Sequence, residues 1–283
     1  MLHGNLGCGP DLSGAAGVAG GDAVGLRSVT RAAQRDGLPL GPRLPFLGAD
    51  LWSAYELGWL NGRGKPQVAL AHLVVPCESP VSLDPAVLAA YLSRFSNARF
   101  DDASQVQQRL RCDLTELVWR DAVVQSSVGV RLLAADQFGA QEVAELAGLN
   151  LDRLDLECDH DAPAPECLAS ATDEEPVTEL LSSRLLKCDC PATGRAQWAS
   201  VQVGYFGPQI DQAGLLRYIV SLRNASLSPE ACVERIFLDL RRQCRPHKLA
   251  VYARFARRDG VDVSPFRTSD AQALPVPIRT ARQ

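Results

Sequence analysis

The stretch Ser-Pro-Glu-Ala-Cys-Val-Glu-Arg-Ile-Phe-Leu-Asp-Leu, residues 228–240, decides how the second half of this chain folds. Four of its apolar residues recur at helical spacing and form one stripe: Val233, Ile236, Phe237 and Leu240. A helix that opens with Ser228-Pro229-Glu230 places an acidic residue in its first turn, where it complements the helix dipole. The stretch therefore predicts an amphipathic helix with one buried face.

The segments on either side of this helix complete a repeating pattern. Before it we predict a turn at residues 190–194, a strand over Trp198–Tyr205 and a helix over Asp211–Leu222. After it, Lys248–Ala256 and Val261–Phe266 predict a hairpin around Arg257-Arg258-Asp259-Gly260. The second half therefore combines strands and helices in one module.

The first half has a similar order. Leu51–Asn61 and Val68–Val75 predict two strands joined by a turn-forming run at residues 61–66. A helix follows from about Asp84, which can cap it, and Pro85 suits its first turn. The apolar stripe of this helix consists of Leu88, Tyr91, Leu92 and Phe95. A second helix over Ala103–Leu114 and a strand over Ala122–Leu133 follow it.

We read this order as strand, strand, helix, helix, strand, strand occurring twice. It predicts an α+β chain of tandem modules, with antiparallel sheets covered by helices on one face. The predicted domains are a flexible N-terminal extension over 1–45, a module over 46–156, a linker over 157–177, a module over 178–268 and a tail over 269–283. Exposed sheet edges in each module favour a homo-oligomer.

Composition excludes several classes of protein. The 283 residues carry a formal charge of -4, so no broad basic face predicts nucleic acid binding. No apolar run is long enough for a membrane helix, and residues 1–25 do not read as a signal peptide. The nine cysteines and four histidines are scattered, which predicts neither a disulfide scaffold nor a metal site. We therefore expect a cytoplasmic protein with mostly buried, inert thiols.

Several strings resemble the bimodular NADPH-dependent 7-cyano-7-deazaguanine reductases, enzymes of the tunnelling fold in queuosine biosynthesis. In the first half these are residues 55–61, Tyr-Glu-Leu-Gly-Trp-Leu-Asn, and 64–67, Gly-Lys-Pro-Gln. In the second half they are Leu185-Leu186-Lys187, Cys190-Pro191 with Thr193-Gly194, Gly214-Leu215-Leu216-Arg217-Tyr218, residues 232–237 and Val251-Tyr252-Ala253-Arg254. The resemblance runs from about Leu51 to Arg267.

The resemblance implies reduction of a nitrile to an amine, with NADPH as cofactor and a 7-deazapurine nitrile as the small-molecule partner. In this family a cysteine thiolate adds to the nitrile carbon and forms a thioimide, which divides one hard reaction into easier ones. Cys190 matches that nucleophile, and Glu230 matches the glutamate that anchors the ring. Asp84 and Pro229 fall at further substrate-binding positions. The family also implies a homodimer.

The chain departs from the family pattern at positions that carry chemistry. The general acid falls at Gln197, whose amide cannot supply a proton at neutral pH. Pro229 replaces a histidine. The cofactor motif should begin near Asp84, but Pro85 replaces its serine, and Ala86 and Ala89 replace its lysines. Arg258 persists at a cofactor position, whereas Asp259 replaces a glycine and adds a negative charge.

Three functions remain open at this point. One is an ordinary reductase that uses NADPH. A second is an enzyme that forms the thioimide without reduction and gives an amide or amidine, and a third is a non-catalytic protein that binds the ring. Two site residues also have a structural interpretation: Cys190 as a small apolar residue in a turn, and Glu230 as an acidic residue at a helix start.

Overall fold

The computed structural model describes residues 29–120, 122, 126–171 and 175–282. The strands are β1 (Val29–Thr30), β2 (Leu47–Leu60), β3 (Pro66–Pro76), β4 (Val81–Ser82), β5 (Gly129–Ala134), β6 (Leu149–Asn150), β7 (Val177–Asp189), β8 (Ala196–Gly207), β9 (Lys248–Phe255) and β10 (Val261–Thr268). The α-helices are α1 (Arg31–Gln34), α2 (Pro85–Ser93), α3 (Ala103–Val118), α4 (Gln212–Ser221) and α5 (Pro229–Gln243). The fold is α+β.

Two compact units account for the described residues. The first holds Trp52–Gln141, Arg258–Val261 and the described residues up to Arg31. The second holds Ala32–Leu51, Glu142–Arg257 and the described residues from Asp262 onward. Strand β2 therefore begins in the second unit, and its residues from Trp52 belong to the first.

In the first unit, β3 pairs antiparallel with β5, and Ala71 lies opposite Leu132. Helix α3 packs against β5 and buries a stripe of four residues, Val106, Leu110, Leu114 and Leu117. Asp84 caps α2, because its carboxylate accepts from the backbone N–H groups of Ala86 and Val87 at 2.9 and 3.1 Å. The predicted start of α2 is thereby confirmed.

In the second unit, β10, β9, β8 and β7 are neighbours in that order, and all three pairs of neighbours are antiparallel. The two-residue strand β6 is the exception, since it pairs parallel with β7. Helix α4 packs against β7, and α5 packs against β9. Asp211 caps α4 and Ser228 caps α5, each by accepting from backbone N–H groups of the first turn.

Part of the N-terminal extension that we predicted to be flexible, residues 29–45, contains ordered elements in the structure. β1 pairs with β4, and Arg31 is buried with its Nε donating to the Ser79 hydroxyl at 3.2 Å. The earlier part of the extension, to which the expectation about a signal peptide applies, lies outside the described residues.

The predicted linker over 157–177 is partly seated on the second unit. Ala164 and Leu168 are buried, and the Ala164 N–H donates to the Ser221 hydroxyl at 3.0 Å. The Cys167 carbonyl lies so close to Gly214 of α4 that a Cβ at this glycine would come within 2.1 Å of the oxygen. Only a glycine fits there.

The strands differ from the predictions in three respects. Strand β7 was not predicted, because a β-bulge between Ser183 and Leu186 breaks the alternation of apolar and polar residues. The predicted order of strands and helices is complete only in the second half, as β7-β8-α4-α5-β9-β10. In the first half, two strands should follow α3, but among the described residues before the linker only β5 is longer than two residues. β5 also begins at Gly129 rather than Ala122.

Candidate functional site

Cys190 directly follows β7 and is the first residue of the turn that leads into β8. Its N–H donates to the Arg195 carbonyl at 2.9 Å, and its carbonyl accepts from the Gly194 N–H at 2.8 Å. Gly194 has φ 65°, a left-handed conformation that favours glycine. The cysteine is half-buried. The turn therefore fixes the backbone of Cys190 on both sides while leaving its side chain partly accessible.

A second segment runs beside the residue that precedes Cys190. The Asp189 N–H donates to the Ala225 carbonyl at 2.8 Å, and the Leu227 N–H donates to the Asp189 carbonyl at 3.0 Å. This short parallel bridge ends one residue before the cap of α5. The first turn of α5, which carries Pro229 and Glu230, is therefore held near the end of β7.

Pro229 and Glu230 occupy the first two positions of α5. Proline is well tolerated at this position because a first-turn N–H has no partner within the helix. The Ser228 hydroxyl accepts from the Ala231 N–H at 3.2 Å and caps the helix. Glu230 is only 3% exposed, which is unusual for a first-turn acidic residue that merely complements the helix dipole.

Gln197 lies on β8 opposite Cys188 of β7 and is buried. Its Nε2 donates to the Leu227 carbonyl at 2.9 Å and lies 3.6 Å from the Cys188 sulfur. The position predicted for a general acid is therefore held by an amide that binds the segment leading into α5. A neutral amide in this contact is a donor and cannot release a proton.

Buried thiols surround this contact. The Cys188 thiol donates to the Leu227 carbonyl at 3.5 Å. It also hydrogen-bonds the Cys232 thiol, and that bond together with burial raises the pKa of Cys232 well above its ordinary value. Neither the Cys188 thiol nor the Leu227 carbonyl was predicted as part of the site, although Cys188 is only two residues before Cys190.

Asp84, predicted to bind substrate, lies in the first unit, and so do the positions predicted to bind the cofactor. Asp84 uses its carboxylate as the cap of α2, Pro85 is the first helical residue, and Ala86 is exposed. The last turn of α2 also holds no basic residue. Arg258 and Val261 exchange backbone hydrogen bonds at 2.8 and 2.9 Å around Asp259 and Gly260.

Asp259 and Gly260 form a two-residue hairpin turn. Both have positive φ, 52° and 82°, as the hairpin turn with two left-handed residues requires. Asp-Gly is a preferred pair in this turn because Asp tolerates the left-handed region better than most residues. The aspartate that replaces the family glycine is therefore compatible with the backbone, and what it changes is charge.

The predicted site residues thus fall into two groups. Cys190, Gln197, Pro229 and Glu230 belong to the second unit, and the structure brings their elements together. The cofactor-motif positions and the hairpin turn belong to the first unit. Within the described ranges, no group of three His, Cys, Asp or Glu side chains is arranged to hold a metal ion. No described helix combines the length and apolar character needed to cross a membrane.

Two family models match the chain. One is described as nitrile reductase, 7-cyano-7-deazaguanine-reductase N-term, and matches residues 21–127. The other is described as QueF-like protein and matches residues 196–273. The first range includes Asp84, and the second includes Gln197 and Glu230, whereas Cys190 lies outside both.

Curated relatives match over nearly the whole chain. The NADPH-dependent 7-cyano-7-deazaguanine reductase of Verminephrobacter eiseniae is 55% identical over 262 residues, 93% of each chain. The reductase of the same name from Polaromonas naphthalenivorans is 53% identical over 93% of each chain. That of Paracidovorax citrulli is 56% identical over 239 residues, 84% of this chain and 85% of the relative.

Proposed function

This chain belongs to the 7-cyano-7-deazaguanine reductase family, and on that premise we propose that Cys190 attacks the nitrile carbon of a 7-deazaguanine-like substrate to form a covalent thioimide. The substrate class is the one that the names of the curated relatives give. The attack itself is proposed from the residues of the second unit.

The parallel bridge between Asp189 and Ser226 is the observation that carries the proposal. It ties the strand that ends next to Cys190 to the segment that opens the helix of Glu230. A nucleophile and a buried carboxylate are thereby presented by two elements with a shared backbone contact. A carboxylate can accept from ring N–H donors of a deazaguanine, which would orient the nitrile toward the thiol.

The proposed step is a net addition. A bond forms between the Cys190 sulfur and the nitrile carbon, one π bond of the C≡N group opens, and the thiol proton ends on the nitrile nitrogen. Nothing is oxidised or reduced in this step. Because Gln197 supplies no proton, protonation beyond the thioimide has no donor at that position, and the covalent intermediate should accumulate.

Reduction by NADPH is the second candidate function, since the relatives are NADPH-dependent by name. The residues at the predicted cofactor positions fit a polyphosphate poorly: the first turn of α2 offers the uncharged Pro85 and Ala86 next to the Asp84 carboxylate, and in the hairpin the negative Asp259 stands beside Arg258. An absorbance assay with NADPH and 7-cyano-7-deazaguanine decides whether reduction follows the attack, because steady oxidation of NADPH would establish reduction.

The remaining expectations follow from the same family. We propose that the protein acts as a homodimer on a free small molecule in queuosine biosynthesis, in the cytoplasm. Hydrolysis or aminolysis of the thioimide, giving an amide or amidine, is the outcome expected if the intermediate turns over without reduction.

Intact-mass spectrometry tests the proposed attack. We expect one adduct of the mass of 7-cyano-7-deazaguanine on the wild-type protein and none on the Cys190→Ala variant. Cys112→Ala is the matched control, since Cys112 is also a half-buried cysteine outside any disulfide and should leave the adduct unchanged. An adduct that persists on Cys190→Ala, or no adduct on the wild-type protein, would overturn the proposal.

A further inference from the structure

A buried cluster of charged side chains lies one helical turn beyond Glu230 on α5. The Glu234 carboxylate accepts from two nitrogens of Arg35 at 2.8 Å each and from two nitrogens of Arg267 at 3.0 and 2.8 Å. Arg267 also lies 2.8 Å from the Asp50 carboxylate. Glu234, Arg267 and Asp50 have side chains no more than 1% exposed. Two guanidinium groups therefore balance two carboxylates away from solvent.

The segment that carries Arg35 packs along the same helix. The Phe46 ring meets the Phe237 ring of α5 edge to face, with centroids 5.6 Å apart. Nearer the end of α5, Arg241 donates to the Pro45 carbonyl at 2.8 Å. The guanidinium groups of Arg35 and Arg267 lie 5.9 and 5.6 Å from the centre of the Phe46 ring. Both ends of the segment over residues 35–46 thus contact α5, at points between Glu234 and Arg241.

Glu230 and Glu234 are four residues apart, so they lie on the same face of α5. Both are buried, and two carboxylates this close on one helix repel each other unless cations offset the charge. Burial alone raises the pKa of Glu234, but Arg267 and Arg35 outweigh burial and hold that pKa below its ordinary value. The pair between Arg35 and Glu234 is bidentate, which gives it a defined geometry as well as a charge interaction.

We infer that Arg35, through its ion pair with Glu234, is a positioning residue that sets the height and rotation of the first turn of α5 and thereby orients the Glu230 carboxylate. The inference rests on the proposed function, because it needs Glu230 to bind the ring. It extends the site to a residue that is 199 positions away from Glu234 in the sequence.

Ring binding and thiol reactivity separate positioning from a general structural role. Binding of 7-cyano-7-deazaguanine is measured by calorimetry in a Cys190→Ala background, where no thioimide forms. Adding Arg35→Met should raise Kd roughly tenfold, the size of effect expected for a lost charge-assisted contact. Arg35→Lys keeps the charge but not the bidentate geometry and should fall between the two.

Alkylation of Cys190 by iodoacetamide is followed in the background that keeps the cysteine. Its rate should stay unchanged in Arg35→Met, because the backbone hydrogen bonds of Cys190 itself, with Arg195 and Gly194, lie within its own turn. Arg242→Met is the matched control: Arg242 also pairs with a buried carboxylate of α5, Asp239 at 3.3 Å, but its side chain is 56% exposed and near the other end of the helix. It should alter neither readout.

Each outcome has one meaning. If the Cys190→Ala protein fails to bind the ring, the proposed function falls and this inference with it. If that protein binds the ring but Arg35→Met binds it equally well, only the positioning role is overturned. An equal loss of ring binding and of native Cys190 reactivity would mark a structural defect and would also overturn it. Should Arg35→Met not fold, Arg35→Lys decides by the same two measurements.

Discussion

The side-chain amide of Gln197, on β8, donates to the Leu227 carbonyl. This one hydrogen bond connects β8 to the segment that leads into α5. Gln197→Ala removes that donor and leaves only the weak donor of the Cys188 thiol. We expect a loss of about 1–3 kcal/mol in the free energy of unfolding, the cost of leaving a buried acceptor poorly satisfied. Urea unfolding followed by fluorescence measures this loss.

Gln202→Ala is the control for that prediction. Gln202 lies on the same strand and also donates to a backbone carbonyl, that of Ala147 at 2.8 Å, but in solvent-exposed surroundings. Its replacement should cost no more than about 0.5 kcal/mol, as for most surface substitutions. Equal losses in the two variants would show that burial of the Gln197 contact contributes nothing.

At the scale of an element, the cap of α5 is a single hydroxyl. Ser228→Ala removes the acceptor for the Ala231 N–H and should destabilise the protein by about 1 kcal/mol. Because the first turn also carries Glu230, the same variant should bind 7-cyano-7-deazaguanine more weakly. Ser93→Ala, which changes an exposed serine at the end of α2, should alter neither thermal unfolding nor ring binding.

The β9–β10 turn makes a different prediction about backbone conformation. Asp259 has φ 52°, so Asp259→Gly and Asp259→Asn should leave stability within about 0.5 kcal/mol, whereas Asp259→Ala should lose about 1 kcal/mol. Differential scanning calorimetry gives the ranking. A stable Asp259→Ala variant would contradict the assigned turn. Asp259→Gly then also tests, without damage to the fold, what the negative charge does to NADPH binding.

The elements also show what the sequence can and cannot predict. Helices α2, α4 and α5 were predicted because their caps and apolar stripes are local signals. β7 was missed because its bulge interrupts the period-two pattern, and the contact of Gln197 with Leu227 joins residues 30 positions apart. Cys190 and Glu230 were found by resemblance, whereas the backbone bridge between their elements has no local signature.

For the molecule as a whole, Glu234 links acid stability to the buried charges. Its pKa is lowered in the folded state by Arg267 and Arg35 against the effect of burial. The unfolded chain therefore binds its proton first as the pH falls, so stability is fully present above the ordinary pKa of 4.5 and is lost as the pH falls through the lower, folded value.

Thermal unfolding between pH 3 and pH 7 checks this sign. We expect the unfolding temperature of the wild-type protein to fall steeply below about pH 4.5. Glu234→Gln should unfold at a lower temperature at pH 7, because it removes the negative charge that Arg35 and Arg267 share, although Arg267 keeps its pair with Asp50. The variant should also show a shallower fall on acidification. A variant with the wild-type slope would show that Glu234 does not govern acid unfolding.

The close seat of the Cys167 carbonyl on Gly214 has a consequence for how the chain can be cut. Residues 157–162 are mostly exposed, whereas residues 164–168 are anchored on α4. A protease should therefore nick the chain before Ala164, and the anchored residues should leave with the C-terminal fragment. Two separately expressed halves should reassemble only when the break lies before Ala164. A C-terminal half that begins after Leu168 would lack the residues that pack on α4 at Gly214, and would leave that surface exposed.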